Sequence, residues 1–444
     1  MLNLTVLKMP PAMSSFTTEK RTPFTIAILG GGIAGLSLAI GLHKRSIPFH
    51  LYESAPAFAE VGAGVSFGPN SLRALKLIAP ELYEGYIERA THNAFDRKRS
   101  TWFDFYAGMD TGLGKAGEHI VEVTTGKDVL GQCSIHRAVF LDLLVSLVPE
   151  ESVSFRKRVV GVEETESGVR LRFDDGSEAQ ASAAVGCDGV KSNVRRFVLG
   201  EEAESAHPKF TGKYAYRGLI PMTKAVDLLG DELAKNSVMW IGRHGHVLTF
   251  PIEKGEVMNV VAFRTKDDGK WNDDRWVLPM DRQRMELDFA DWDSSVKKIL
   301  SLMDKPDVWA LFDYPPAHTY YRGRICIAGD AAHASTPHQG AGAGMALEDS
   351  YVLAALLAEI VDARELEEAF KAFDAVRRGR TQRLVKTSRE CGRVFDCEGT
   401  GIEEDGEAWR RDLEERHKWI WENNLEVDMR EGMKMLKGQK AKLA

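Results

Sequence analysis

The chain has 444 residues, of which 44% are hydrophobic and 28% charged, with 58 Lys and Arg against 65 Asp and Glu for a formal charge of −7. That balance excludes a disordered or collagen-like chain and gives no basic surface for nucleic acid. Five cysteines, an odd number without CxxC or CxxH spacing, exclude a disulfide scaffold and a cysteine metal site, so no metal is expected.

The first 23 residues hold a short apolar stretch broken by Lys8 and Pro10, without the basic and apolar regions of a signal peptide, and are expected to form a flexible tail. No uncharged apolar run reaches the roughly 18 to 20 residues that span a bilayer. The C-terminal KLA is not a peroxisomal tripeptide, and a cytoplasmic location follows by default.

Residues 25–29 read as a buried strand, 33–44 as an Ala/Leu-rich helix and 49–52 as a second strand ending at Glu53. Such a β-α-β unit belongs to a parallel sheet with a right-handed crossover. A helical stretch over 66–87 follows, with Asn70 as a candidate cap, and then a helix over 136–148. Residues 153–162, 169–173 and 178–185 alternate as strands, with a tight turn at Asp175-Gly176. Between 205 and 320 the strands 214–220, 238–242, 246–252 and 258–263 fit an antiparallel sheet, with a helix over 291–303. A strand at 324–328 and a glycine-rich loop and helix at 329–361 return to the first domain. The last 80 or so residues are charged and helical.

The fold class expected is α/β: a Rossmann-like dinucleotide-binding domain with a parallel sheet, a mainly antiparallel β-sheet substrate domain and a helical C-terminal region. The expected boundaries are 24–204 and 321–375 for the dinucleotide domain, 205–320 for the substrate sheet and 376–444 for the helical region.

The segment Gly30-Gly31-Gly32-Ile33-Ala34-Gly35 is GxGxxG between a strand and a helix. Its glycines allow a tight turn, close approach to a pyrophosphate and close helix–sheet packing, and the helix N-terminus faces the phosphates. Glu53, about 20 residues on, stands where such sites hold a ribose diol. The fingerprint alone leaves the dinucleotide open.

Two later segments narrow it: CDGVKSNVR at 187–195 and GDAAHASTPHQGAGAG at 329–344. With the N-terminal GxGxxG they make the chain resemble the single-component FAD-dependent aromatic hydroxylases over residues 24 to 425. The resemblance implies noncovalent FAD, NADH or NADPH as a transient reductant without a domain of its own, and O2 as co-substrate. It assigns the cofactor to Gly30, Gly32, Ile33, Ala34, Gly35, Glu53, Ala63, Gly64, Arg137, Asp188, Arg195, Asp330, Pro337, Gly340, Ala341, Gly342 and Ala343. Asp330 would accept a ribityl hydroxyl hydrogen bond, and the glycines after Pro337 would let backbone amides approach the flavin edge.

Within that family, EVGAGVSFGPNSLRAL at 60–75, YRGLI at 216–220, GHVLTFPI at 245–252 and HKWIW at 417–421 are similar to the salicylate hydroxylases. A sister branch of fungal dearomatising hydroxylases tends to carry a tyrosine where this chain has Phe250, which tilts the likeness toward salicylate. The implied reaction is hydroxylation of salicylate to catechol with loss of carbon dioxide, through a flavin hydroperoxide. The alternatives are a related monooxygenase on another hydroxybenzoate or on a resorcinol-type polyketide, and a non-catalytic flavin-binding regulator.

Ionising a phenol beside a carboxylate calls for a base, and a neutral imidazole suits it. His338, between Pro337 and the flavin-facing glycines, is the candidate; His333 reads as structural. Arg217 and Gln339 are candidates for the substrate carboxylate, with Lys213, Arg243 and His246 behind them. Met222, Phe250 and Trp240 are candidates for the ring wall. The partners expected are a small aromatic substrate and O2, with no nucleic acid or membrane, for a monomer or homodimer.

Overall fold

The computed structural model describes residues 24–58, 64–126, 129–303, 307–399, 401 and 404–443. The strand Ile26–Leu29 is buried at every position, as its uninterrupted apolar run requires of a central parallel strand. It pairs in parallel with Phe49–Tyr52 on one side and Ala183–Gly186 on the other. Ile325–Ile327 and Val153–Ser154 extend this sheet in parallel, and Tyr321–Arg322 closes one edge in antiparallel pairing. The helix Ile33–His43 is buried on nearly all sides because the helix Gly342–Ala358 packs across it. A β-carbon on Gly41 would lie 2.9 Å from that of Ala354, so the absent side chain lets the helices approach.

An eight-stranded sheet faces this domain. Its order is Val277–Pro279, Asp307–Asp313, Lys209–Pro221, Val257–Thr265, Gly245–Ile252, Val238–Gly242, Thr101–Ala107 and His119–Thr124. Every pairing is antiparallel except that of Val238–Gly242 with Thr101–Ala107. Alternation along the strands sorts the residues between two cores. Val238, Trp240 and Val247 pack beneath Met285, Phe289 and Ile299 of the covering helices, whereas Met239, Ile241 and Phe250 face the opposite side. Trp240 therefore belongs to the helix-covered core. So does Met222, at the start of the helix Met222–Ala234.

The structure departs from the sequence reading at several points. The strands Thr101–Ala107 and His119–Thr124 join the eight-stranded sheet although they lie within 24–204. The helical stretch after residue 66 begins at Pro69 and breaks at Ala79 (φ −159°, ψ 125°), because Pro80 disfavours helical geometry at the residue before it. Asn70 does not cap: it is buried inside that helix and donates to Glu348 at 2.8 Å. Residues 153–162 divide into Val153–Ser154 in the parallel sheet and Val159–Thr165 in a three-stranded antiparallel one; Arg156, with φ of 58°, lies between them.

The C-terminal region is three helices, Leu366–Phe395, Gly406–Trp421 and Leu425–Leu443. The second is capped by Asp405, whose carboxylate accepts from the backbone of Glu407 and Ala408. It lays Trp409 against Phe105 of the large sheet. Among the described residues no helix is long and apolar enough to cross a membrane.

Candidate active site

A cavity of about 460 Å³ lies where the parallel sheet's C-terminal ends meet the large sheet. Open α/β sheets bind ligands at that end. The first wall is the glycine turn. Gly30 has φ of +111°, and a β-carbon on Gly35 would collide with the Gly30 carbonyl, so both positions need glycine. Gly32, by contrast, has no atom within 4 Å of where a β-carbon would be. Gly32, Ile33 and Ala34 line the cavity. Glu53 accepts from the backbone N–H of Gly31 at 2.6 Å and of Ala55 at 2.7 Å, which holds the turn.

The second wall is the late glycine segment. Asp330 is exposed at the start of the short helix Asp330–His333 and lines the cavity with Pro337, Gly340, Ala341, Gly342 and Ala343. Gly340 is left-handed, with φ of +60°. Gly342 opens a helix of 17 residues whose N-terminus borders the cavity and favours negative charge there. Arg137, at the start of the helix Arg137–Val145, and Gly64 also line the cavity. Ala63 lies outside the described residues.

Asp188 and Arg195 do not line it. The Asp188 carboxylate accepts from Ser192 Oγ at 2.5 Å and from the backbone of Asn193 at 2.8 Å, and so braces the start of the helix Asn193–Leu199, whose N-cap is Ser192, while Cys187 and Gly189 beside it reach the cavity. Arg195 is fully buried over the Tyr314 ring and donates to the carbonyls of Ser205, Ala331, Ala332 and Pro315. It ties the DG segment to the GD segment from behind. Burial lowers its pKa to about 10.

The third wall is the inner face of the large sheet. Met239, Leu248, Phe250, Val261, Phe263 and Leu311 make it apolar. Arg217 and Trp309 add one cation, with the guanidinium over the indole at 4.5 Å from its centre. Met222 is absent from this wall, because it sits on the sheet's other side.

His338 stands between the glycine segment and this wall. It is buried, its ring 5.0 Å from that of Phe263 and 5.2 Å from that of His246, and neither ring nitrogen has a hydrogen-bond partner among the described residues. Burial first, and the neighbouring His246 next, hold its pKa well below the usual 6.5, so the ring is neutral. Gly392 gives it room: a β-carbon there would lie 2.6 Å from His338 Nε2. Gln339 is turned away, with Nε2 donating to the Arg416 carbonyl at 2.9 Å and Oε1 accepting from Thr387 at 2.8 Å. His333 is bound to Asp349 at 2.6 Å, as a structural residue would be. Lys213 and His246 are engaged together by the buried Asp396.

Residues not picked out for the site in the sequence close it. Trp102, from Thr101–Ala107, and Trp421, at the end of Gly406–Trp421, both line the cavity. Their ring centres are 5.9 Å apart, and His417 packs on both. Among the described residues no group of three or more His, Cys, Asp or Glu is placed to hold a metal ion.

A family model described as an FAD binding domain matches residues 24–388. The 6-methylsalicylate 1-monooxygenase of Aspergillus terreus is 42% identical over 417 residues, spanning 93% of this chain and 92% of that protein. A salicylate hydroxylase of Pseudomonas putida is 37% identical over 424 residues, spanning 93% of this chain and 94% of that one. A solved salicylate hydroxylase substrate complex superposes with a TM-score of 0.82 at 35% identity, covering 92% of this chain and 98% of that chain.

Proposed function

The chain belongs to the FAD-dependent aromatic monooxygenases of the salicylate hydroxylase family, and from that premise we propose that it converts a 2-hydroxybenzoate, salicylate or a ring-methylated salicylate, to the corresponding catechol. The balanced reaction consumes the carboxylate, O2, NAD(P)H and two protons, and yields catechol, carbon dioxide, water and NAD(P)+.

The residues present suit FAD. The open space at Gly32 admits a pyrophosphate against the backbone, and the exposed Asp330 carboxylate can accept a ribityl hydroxyl. Gly340 to Gly342 and the following helix N-terminus suit the electron-rich edge of the ring. Bound there, FAD supplies the redox chemistry that activates O2 for transfer to an aromatic carbon.

The protein's own contribution is binding, exclusion of water and one proton movement. Phe250, Met239 and Leu248 give the aromatic ring an apolar slot, and Trp102 and Trp421 shut off solvent. Arg217 offers a charge-assisted hydrogen bond to the carboxylate. His338 takes the phenol proton on a ring nitrogen, and the resulting phenolate directs electron density to the carbon that bears the carboxylate. Attack at that carbon releases carbon dioxide. The observation that carries this reading is the neutral His338 imidazole, without a hydrogen-bond partner among the described residues, facing an apolar cavity that holds the Arg217 cation.

The test is turnover of salicylate and 6-methylsalicylate labelled with 13C in the carboxyl group. Release of labelled carbon dioxide with a catechol product supports the proposal. A hydroxylated product that keeps the label assigns the enzyme to non-decarboxylating hydroxylation.

A further inference from the structure

Behind His338, away from the glycine segment, lies a buried chain of polar residues with no part in the reaction described so far. Asp396, at the end of the helix Leu366–Phe395, is fully buried. Its Oδ1 accepts from His246 Nδ1 at 2.6 Å, and its Oδ2 accepts from Lys213. His246 is fully buried too, stacked on Phe263 at 4.4 Å, and its Nε2 has no partner among the described residues. The ring that lies edge-on to it is that of His338, also unpartnered. Two neighbouring buried imidazoles with open nitrogens, one of them backed by a carboxylate, are costly polar groups that call for a functional explanation.

We propose that His246 and Asp396 form a proton-holding partner for His338, which rests on His338 being the base. The phenol O–H breaks and an N–H forms on His338; the N–H on the other His338 nitrogen breaks and one forms on His246 Nε2. His338 ends neutral in its other tautomer, and the positive charge rests on His246 against Asp396. The ring centres lie 5.2 Å apart, edge-on, and the transfer requires an open nitrogen of each ring to turn toward the other. Asp396 and Lys213 face His246, and Lys213 also binds Glu398 at 3.2 Å. Asp396 is hydrogen-bonded to His246 and not to His338, so the carboxylate that can face a transferred proton stands at His246.

Burial pushes the Asp396 carboxyl up, but the hydrogen bond from His246 and the hydrogen bond and charge of Lys213 override it and hold the pKa at about 2, so the carboxylate is charged throughout the working range. His246 acts through His338 and is a positioning residue rather than a catalytic one.

The test uses the oxidised, FAD-loaded protein with a nitro-substituted 2-hydroxybenzoate, whose bound phenolate is read by absorption difference. Its ionisation midpoint is measured in wild type, His338→Gln, His246→Gln and Asp396→Asn. Each substitution is expected to raise the midpoint by about one pH unit or more, with FAD content retained. A midpoint unmoved by His338→Gln overturns the base assignment itself. A midpoint moved by His338→Gln and unmoved by His246→Gln overturns the relay alone. Should Asp396→Asn fail to fold, 15N-histidine NMR of the wild-type complex decides. An imidazolium signal that appears with the ligand and is missing in His246→Gln supports the relay, and a spectrum unchanged by the ligand overturns it.

Discussion

The guanidinium of Arg217 lies over the indole of Trp309, 4.5 Å from the ring centre, and both line the cavity that His338 faces. Stacking holds the cation in place on an otherwise apolar wall. Arg217→Met should weaken salicylate binding about 10- to 100-fold, as loss of a charge-assisted hydrogen bond does. Binding of salicylamide, which carries no carboxylate charge, should change far less. Arg217→Lys should recover only part of the loss, since an ammonium neither stacks nor binds in a fork. Quenching of flavin fluorescence on titration measures each; equal losses for both ligands would remove Arg217 from carboxylate recognition.

Replacing His338 by alanine should leave FAD bound and lower hydroxylation by about 100-fold or more. The wild-type imidazole, kept neutral by burial, is available as a base down to acidic pH. The variant depends on the substrate's own ionisation, so its rate should climb with pH while the wild-type rate stays flat between about pH 6 and 9. A pH profile of kcat/KM distinguishes the two.

Two glycines of one turn should respond in opposite ways. Gly32→Leu projects into empty space, so the protein should fold with the thermal stability of flavin-free wild type but purify without flavin. Gly35→Ala meets the Gly30 carbonyl and should destabilise the fold itself. Visible absorbance and circular dichroism separate the outcomes; a full flavin complement in Gly32→Leu would count against the cradle.

His417 is buried between Trp102 and Trp421, and burial holds its pKa down at about 4. As pH falls from about 6.5 toward 4, the unfolded chain protonates this histidine and the folded one does not, so stability falls. The full loss is on the order of 3 kcal/mol. It is absent above pH 6.5, where the ring is neutral in both states. His417→Phe should flatten the decline of urea stability between about pH 6 and 4.5 by up to one proton's worth.

Local chemistry was legible in the sequence where it depends on neighbours in the chain. The β-α-β unit around Gly30 to Gly35 needs only adjacent strands and a turn, and the residues after Pro337 carry their left-handed glycine and helix start with them. What stayed hidden depends on distant pairing. Nothing near Trp102 announces that Thr101–Ala107 lies in the large sheet, in parallel beside Val238–Gly242 and antiparallel to His119–Thr124, where Trp102 lines the cavity. Asp396 and His246 are 150 residues apart. Met222 is a ring-wall candidate in the sequence, but the chain turns from strand to helix there and carries it to the opposite face.

The central claim is oxygen transfer to a 2-hydroxybenzoate, and its most direct measurement is reaction of the FAD-loaded protein with salicylate and NAD(P)H under 18O2. The account predicts catechol carrying a single 18O, formed in step with nicotinamide oxidation and carbon dioxide release. Salicylate and 6-methylsalicylate that both leave nicotinamide oxidation unstimulated, with no labelled catechol formed, would contradict it.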